Sequence, residues 1–524
     1  MSQTPEQIHR RRWLTLAVLC LALVVIGVDN TILNVALPSI VRNLDAEGSQ
    51  LQWIIDAYTI VFAGMLLTAG SLGDRLGRKY ALMAGLFMFG TFSALASQAS
   101  SADFLIAARA LMGLGGAFIF PTTLSILTNT FAGRERAQAI GIWAGVTGLG
   151  IVIGPLGGGL LLEHFEWGSV FLINVPLCSV ALIAAVFLVP NSKDPAEGRL
   201  DPLGAVLSII ALSTILFGII EAPDAGWTSP SVVLALVTGA VFLTLFLTWE
   251  LRCRYPMLDV RFFSNPRFSA ASATITLTYF ALFGSTFLLT QYFQFALGYS
   301  PLRSGLMTAP VAVGLMAFSP FAPRFVERYG TKRVVVVGLL IVAGSLSLYC
   351  SDTIMSSMAL GALVRAVFGC GLGLTTAPAT ESIMGSLPPG KAGVGSAVND
   401  TTRQTGGALG VAVIGTIFAL RYHAVVRSQL AAIPDSVRSD VTDSIGKALD
   451  AARGLPAGSR LAVEHLARHA YITSMRVAFG IAAGIVLVAT FIAWRFLPAH
   501  APAGDLVLFD EEVEVAAALG VTDA

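Results

Sequence analysis

Charge is what this chain of 524 residues has least of: only 12% is Asp, Glu, Lys or Arg, against about 25% in an ordinary soluble domain. That excludes a soluble multidomain protein of this length. Lys+Arg 33 against Asp+Glu 32 leaves no basic field for phosphates, which excludes a nucleic-acid binder. Of the five cysteines, Cys20, Cys178, Cys350 and Cys370 lie in apolar runs and Cys253 in a basic loop. With no CxxC pair and no Cys/His cluster, neither a disulfide framework nor a zinc site is indicated. No GxxxxGK[ST] phosphate loop occurs, and no polar stretch is long enough to house an ATPase, so no nucleotide or other cofactor is expected. No nucleophile, base and orienting group fall together, so an enzyme is not expected either.

What the chain has instead is apolar length: 55% hydrophobic residues and a mean hydropathy of +0.75. A transmembrane helix needs about 20 mostly apolar residues. Fourteen stretches meet that, at 13–37, 51–72, 80–99, 103–127, 137–162, 168–190, 202–221, 230–250, 269–295, 302–326, 333–350, 356–386, 393–420 and 471–497. β-Barrel strands would be about 10 residues of alternating polarity, which these are not. The first run follows Arg10, Arg11 and Arg12 but is too long for a secretory signal and contains Asp29, Asn30 and Asn34. It is read as an uncleaved span.

Counted with a cytoplasmic N-terminus, the short inner loops and ends hold twenty basic residues, and the outer short loops hold Arg42 and Arg303. The positive-inside rule then puts both termini in the cytoplasm. Residues 1–12 form a cytoplasmic N-terminus, 13–190 a six-helix bundle, 191–268 two inserted helices with linkers, and 269–497 a second six-helix bundle. Segment 421–470 is expected outside the membrane, with Val437, Val441, Ile445 and Leu449 at the four-residue spacing of a short amphipathic helix. Residues 498–524 are an acidic cytoplasmic tail.

The halves repeat. Gly70-Ser-Leu-Gly73-Asp74-Arg75-Leu-Gly77-Arg78-Lys79 follows the second run; Arg324 to Arg333, with Glu327 and Gly330, follows the tenth, 253 residues on. Arg109, Gly113 and Pro121 recur as Arg365, Gly369 and Pro378 at an offset of about 256. Parallel six-span repeats around a central cavity are a transporter architecture.

The Gly70–Lys79 loop resembles the signature loop of the major facilitator superfamily. Gly141, Gly150, Gly154-Pro155 and Gly158-Gly159 in the fifth span resemble that superfamily's antiporter motif. Asp29 to Pro38, Trp53 to Tyr58, Phe171 to Pro176, and Asn399-Asp400 with Arg403 resemble its fourteen-span drug/proton antiporters. The resemblance runs from about residue 13 to 420, plus the last span. It implies an all-α membrane protein of the major facilitator fold, two six-helix bundles plus two inserted helices, in a bacterial inner membrane. It also implies that Gly70, Gly73, Asp74, Arg75, Gly77, Arg78 and Lys79 gate, and that Arg109 takes part in proton transfer.

Few charges lie within the spans, where each costs roughly 2.5–3.5 kcal/mol or more unless paired or facing a cavity. Asp29, in the middle of span one, ranks first for proton coupling, then Asp400, with Arg109 and Glu381 beside them. A buried carboxylate favours its protonated form and a nearby lipophilic cation its ionised form, so proton and cation compete for one site. A structural ion pair is the alternative for Arg109, a permanent pair with Arg403 for Asp400, and simple access to cytoplasmic water for Glu381. Arg365 reads as structural. Asp56, Asn34, Tyr58, Gln291, Phe287 and Arg403 are candidates for contact with substrate, with helix packing the alternative for Gln291 and Phe287. No metal ligands are proposed. The expected partners are protons, the lipid bilayer and a hydrophobic, cationic small molecule exported by alternating access. An importer of the same fold and a non-transporting membrane sensor are the competing readings.

Overall fold

The computed structural model describes residues 5–44, 48–193, 201–256, 258–351, 357–387, 391–429 and 433–499. The acidic tail from 500 onward lies outside them. Among the described residues every regular element is helical. Backbone groups in hydrocarbon must be satisfied internally, which leaves helices as the form open to such apolar runs.

The first bundle comprises α1 (Pro5–Leu44), α2 (Gly48–Leu76), α3 (Arg78–Ala96), α4 (Ala102–Thr130), α5 (Gly133–Val146), α6 (Leu149–His164), α7 (Ser169–Leu172) and α8 (Asn174–Leu188). The insert is α9 (Pro202–Ala225) and α10 (Pro230–Glu250). The second bundle comprises α11 (Pro266–Gln291), α12 (Pro301–Phe318), α13 (Ala322–Tyr329), α14 (Thr331–Leu348), α15 (Met358–Met384) and α16 (Ala392–Arg427). After α16 come α17 (Arg438–Asp443), α18 (Ile445–Ala452) and the final span, α19 (Ala457–Phe496).

Thirteen helices among the described residues are long and apolar enough to cross a membrane. The fifth of the fourteen expected spans is the exception, because it is built from two pieces. Thr147 and Gly148 interrupt it between α5 and α6, though both keep right-handed helical dihedrals. Glycine weakens a helix by roughly 1 kcal/mol per residue relative to alanine, and this stretch is glycine-rich. Close packing is what the glycines provide. A Cβ on Gly150 would fall on the backbone of Gly27 in α1, and Thr31 Oγ1 donates to Gly150 O at 2.6 Å.

The repeat is visible in the backbone. Gly77 and Gly330, 253 residues apart, both take positive φ, 112° and 83°, a region only glycine enters cheaply. Ser101 caps α4 by accepting from Phe104 N, and Ser357 caps α15 by accepting from Leu360 N. The insert touches both bundles. Trp53 of α2 stacks on Phe217 at 5.8 Å, and Trp227 Nε1 donates to Thr416 Oγ1 of α16 at 2.8 Å.

Segment 421–470 departs from the expected single amphipathic helix. α16 runs on to Arg427, and Ser444 ends α17 and caps α18 through Lys447 N. The apolar spacing nevertheless marks the covered face: Val437, Val441 and Ile445 are buried and Leu449 packs against the core. Tyr422 OH donates to Val441 O at 3.2 Å, tying this layer to α16.

Candidate functional site

The deepest polar cluster lies inside the first bundle. Asp29, on α1, is 0% exposed. Its Oδ2 receives Nη1 of Arg109 at 2.5 Å and its Oδ1 receives Nδ2 of Asn174 at 2.8 Å. Arg109 Nε donates to Ile54 O at 3.1 Å, and its guanidinium lies 4.3 Å from the ring centroid of Tyr58. Asn174 also donates to Ser93 Oγ, which donates to Phe171 O. Six helices thus join one network around this carboxylate, with α4 and α8 bonded to it directly. A buried charge survives only when paired and hydrogen-bonded, and here each is. Arg109 and Tyr58, expected from the sequence, belong to this cluster. Asn174 belongs to the Phe171–Pro176 stretch that resembles the antiporters but had no role of its own assigned from the sequence.

A second cluster lies where the bundles meet. Asp400 is buried on α16 and accepts from Asn399 Nδ2 at 3.2 Å through Oδ1. Arg403, one turn on, does not bond to it; its Nη2 donates to Thr380 Oγ1 of α15 at 3.1 Å. The Arg403 guanidinium lies 4.8 Å from the ring of Trp143 in the first bundle and 5.1 Å from that of Tyr279 in the second. Trp143 is itself fixed by Nε1 donating to Thr123 Oγ1. A cation between a buried ring and a half-buried one is held by about 1–2 kcal/mol. Glu381 is not deep: its side chain is 30% exposed, 3.6 Å from Arg136 Nε of α5.

The remaining candidates are dispersed. Asp56 is half-buried on α2 and Gln291 half-buried at the end of α11. Phe287 is 37% exposed and lies beside Gly415 of α16. The side chains of Asn34 and Pro155 lie outside the described residues. Gly141 packs across the bundles, against Ser319 and Pro320 just after α12, whereas Gly150 and Gly154 pack on α1 within their own bundle. Gly158 is buried and Gly159 half-buried on α6.

The signature loop forms a cross-bundle tie. Asp74 is buried and receives Nε of Arg78 at 2.7 Å, Gly393 N at 3.0 Å and Val394 N at 3.2 Å. Gly393 and Val394 open α16, where unsatisfied N–H groups and the helix dipole favour an anion. Gly70 lets the helices approach, since a Cβ there would lie 2.6 Å from Gly393 O. Gly73 is close-packed on Thr122 and Ala81. Arg78 N donates to Ser192 O and Lys79 Nζ to Val186 O, so Gly77–Lys79 anchor the loop to the end of α8; Arg75 is half-buried. At the same end Arg134 of α5 meets Glu327 of α13 at 2.8 Å. Arg12 makes two hydrogen bonds to Glu135, and this contact holds the Glu135 carboxyl below its ordinary value.

Two repeated helical bundles, buried charges within them and a charged tie across one end are the architecture of a multi-pass membrane transporter. The chain belongs to the Major Facilitator Superfamily, whose family model matches residues 19–411. It is 36% identical over 486 residues to the multidrug efflux pump LfrA of Mycolicibacterium smegmatis, covering 92% of this chain and 95% of that one. It is 34% identical to the methyl viologen resistance protein SmvA of Salmonella typhimurium, covering 92% and 98%. Among solved structures, the human organic anion transporter MFSD10 (TETRAN) superposes with a TM-score of 0.62 at 14% identity, covering 94% of this chain and 100% of that one. At that identity the likeness concerns the fold.

Proposed function

We propose that this protein exports hydrophobic, cationic drugs or metabolites across a bacterial inner membrane in exchange for protons. Both termini lie in the cytoplasm, and the end latched by Asp74 is the cytoplasmic one. The single observation that carries the reading is the Asp29–Arg109 pair: a carboxylate with no exposure whose charge is balanced by one arginine and which accepts one further hydrogen bond from an amide. Protonating Asp29 removes the charge that holds Arg109 and Asn174, so a proton there changes how α1, α4 and α8 are tied. The relatives named for multidrug efflux and methyl viologen resistance support export and a cationic substrate. Asp400 lies on the helix that also receives Asp74, which supports a role for it in linking substrate binding to that contact.

Closure of the Asp74 end corresponds to a state open to the opposite side. Rocking the bundles must break the Asp74 bonds to α16 and the Arg134–Glu327 and Arg136–Glu381 contacts. The test is uptake of ethidium or methyl viologen into everted membrane vesicles with an acidic lumen. Accumulation that collapses when the pH gradient is dissipated, and that Asp29→Asn abolishes, is the expected result. Uptake indifferent to the gradient would remove proton coupling. Movement only out of the vesicles would favour an importer, and no movement a sensor.

A further inference from the structure

Arg365 stands in the second bundle where Arg109 stands in the first, but its surroundings differ. It is 4% exposed and its Nε has no hydrogen-bond partner among the described residues. The reason is readable in the neighbouring helices. α11, which corresponds to α1, contains no acidic residue from Pro266 to Gln291, so nothing takes the place of Asp29. Gly113 packs on Tyr58 O and Gly369 on Val311 O, which puts Val311 where Tyr58 covers Arg109. The second bundle therefore has no acid at the place of Asp29 and no ring at the place of Tyr58.

What fills the place is a cavity of about 270 Å³, lined by Arg365 with Tyr292, Phe293, Tyr299, Tyr349 and Met307. Tyr292 and Phe293 belong to a single π-helical turn, Tyr292–Ala296, that continues α11; such turns recur at functional sites. The Arg365 guanidinium lies 5.1 Å from the ring of Phe293. Leu297 and Met358, 42% and 50% exposed, mark the mouth. Arg365 lies seven residues into α15 from Met358, about 10 Å deeper at 1.5 Å per residue.

A buried guanidinium with a free Nε and no carboxylate partner among the described residues, at the bottom of an aromatic-walled slot, calls for a planar anion, which it can bond with two parallel N–H groups. We propose that this cavity binds a small aromatic carboxylate, with the carboxylate on Arg365 and the ring between Phe293 and the tyrosines. The volume of about 270 Å³, just below the usual range of ligand pockets (about 300–1,000 Å³), suits a one- or two-ring acid. The site is distinct from the Asp29 and Asp400 clusters and does not depend on the direction of transport.

Equilibrium dialysis of 2-naphthoate against the full-length protein in phosphatidylcholine nanodiscs tests it, with 2-naphthamide as the uncharged isostere and inorganic phosphate as an anion without a ring. Naphthoate should bind saturably, at least tenfold more tightly than naphthamide, and phosphate should not compete. Arg365→Gln should reduce naphthoate to the level of the amide. Met307→Trp, which fills the cavity and leaves Arg365 in place, should also abolish binding. Equal binding of acid and amide by the wild type overturns the proposal, as does naphthoate binding that survives either variant. If Arg365→Gln fails to fold, the wild-type comparison and Met307→Trp decide. Displacement of naphthoate by phosphate, or by replacing phosphatidylcholine with phosphatidylglycerol, would assign the cavity to phosphate or to a lipid headgroup instead.

Discussion

In the first bundle Arg109 reaches Asp29 at 2.5 Å and is covered by Tyr58; in the second, Arg365 reaches no carboxylate among the described residues and borders a cavity. The same contrast recurs at the loops. Asp74 is 3% exposed and bonds to the backbone of α16, whereas Glu327 is 45% exposed and meets Arg134, itself 70% exposed. Both acids face the start of a helix in the opposite bundle, α16 for Asp74 and α5 for Glu327. The repeat has kept the backbone, with its positive-φ glycines and serine caps, while the buried ion pairs Asp29–Arg109 and Asp74–Arg78 lie in the first half and the buried Arg365, Asp400 and Arg403 of the second make other contacts. One half carries a buried ion pair and a buried cross-bundle tie; the other carries a cation with no carboxylate partner among the described residues and a surface pair.

The largest expected effect would break that asymmetry at its centre. Replacing Arg109 by alanine leaves Asp29 buried with one amide for company, and stripping one partner from a buried pair costs about 3–5 kcal/mol. Arg109→Ala should therefore unfold at markedly lower temperature in detergent, and Asp29→Asn added to it should recover much of the loss. Arg365→Ala should cost less, about 2 kcal/mol, the order of a single desolvated cation–π contact. Equal losses for the two arginines would show that the bundles share more than their backbone.

The second comparison concerns transport. Asp74→Asn keeps the volume but removes the charge that Gly393 N, Val394 N and Arg78 bind. Hydrogen bonds to a charged group contribute about 1.5–3 kcal/mol, enough to shift a two-state equilibrium by roughly tenfold or more. Dye efflux by Asp74→Asn cells should fall by about that factor at unchanged expression, while Glu327→Gln should change it less than about twofold. If both variants fall equally, the two loops act as symmetric latches.

Some of this was legible in the sequence and some was not. The runs of apolar residues placed the spans, because a bilayer sets one length for all of them. The repeat was legible because Asp74 with Gly77 and Glu327 with Gly330 share a spacing that only a repeated turn explains. The partners were not. Asp29 and Arg109 are 80 residues apart, and Asn174 is 145 from Asp29, so no local rule joins them. Asp400 and Arg403 share a helix face, yet Arg403 turns to Thr380 and to the rings of Trp143 and Tyr279. Helical spacing permits a contact between neighbours but does not choose it over a better one across an interface. The interruption of span five was likewise hidden, since continuous hydropathy does not register a turn whose dihedrals stay helical. In 421–470 the apolar spacing identified the buried face, while Ser444, acting as a cap, divided the helix.

The smallest effect is the most discriminating for the latch. The Arg134–Glu327 pair is open to water on both sides, and pairs of that kind contribute about 0.2–1 kcal/mol and are screened by salt. A double-mutant cycle of Arg134→Gln and Glu327→Gln, read from dye efflux in vesicles, should give a coupling within that range at low ionic strength and none at about 1 M salt, where the Debye length is about 3 Å. The exchanged pair, Arg134→Glu with Glu327→Arg, should work as well as wild type because neither residue relies on backbone donors. Asp74 has no such freedom. Its carboxylate is fixed by two N–H groups of α16 as well as by Arg78, so exchanging Asp74 and Arg78 should fail to restore efflux, and the loss should persist at high salt. A salt-insensitive coupling at Glu327, or a working Asp74–Arg78 exchange, would mean that exposure does not separate the two ties and that the second loop carries as much of the closure as the first.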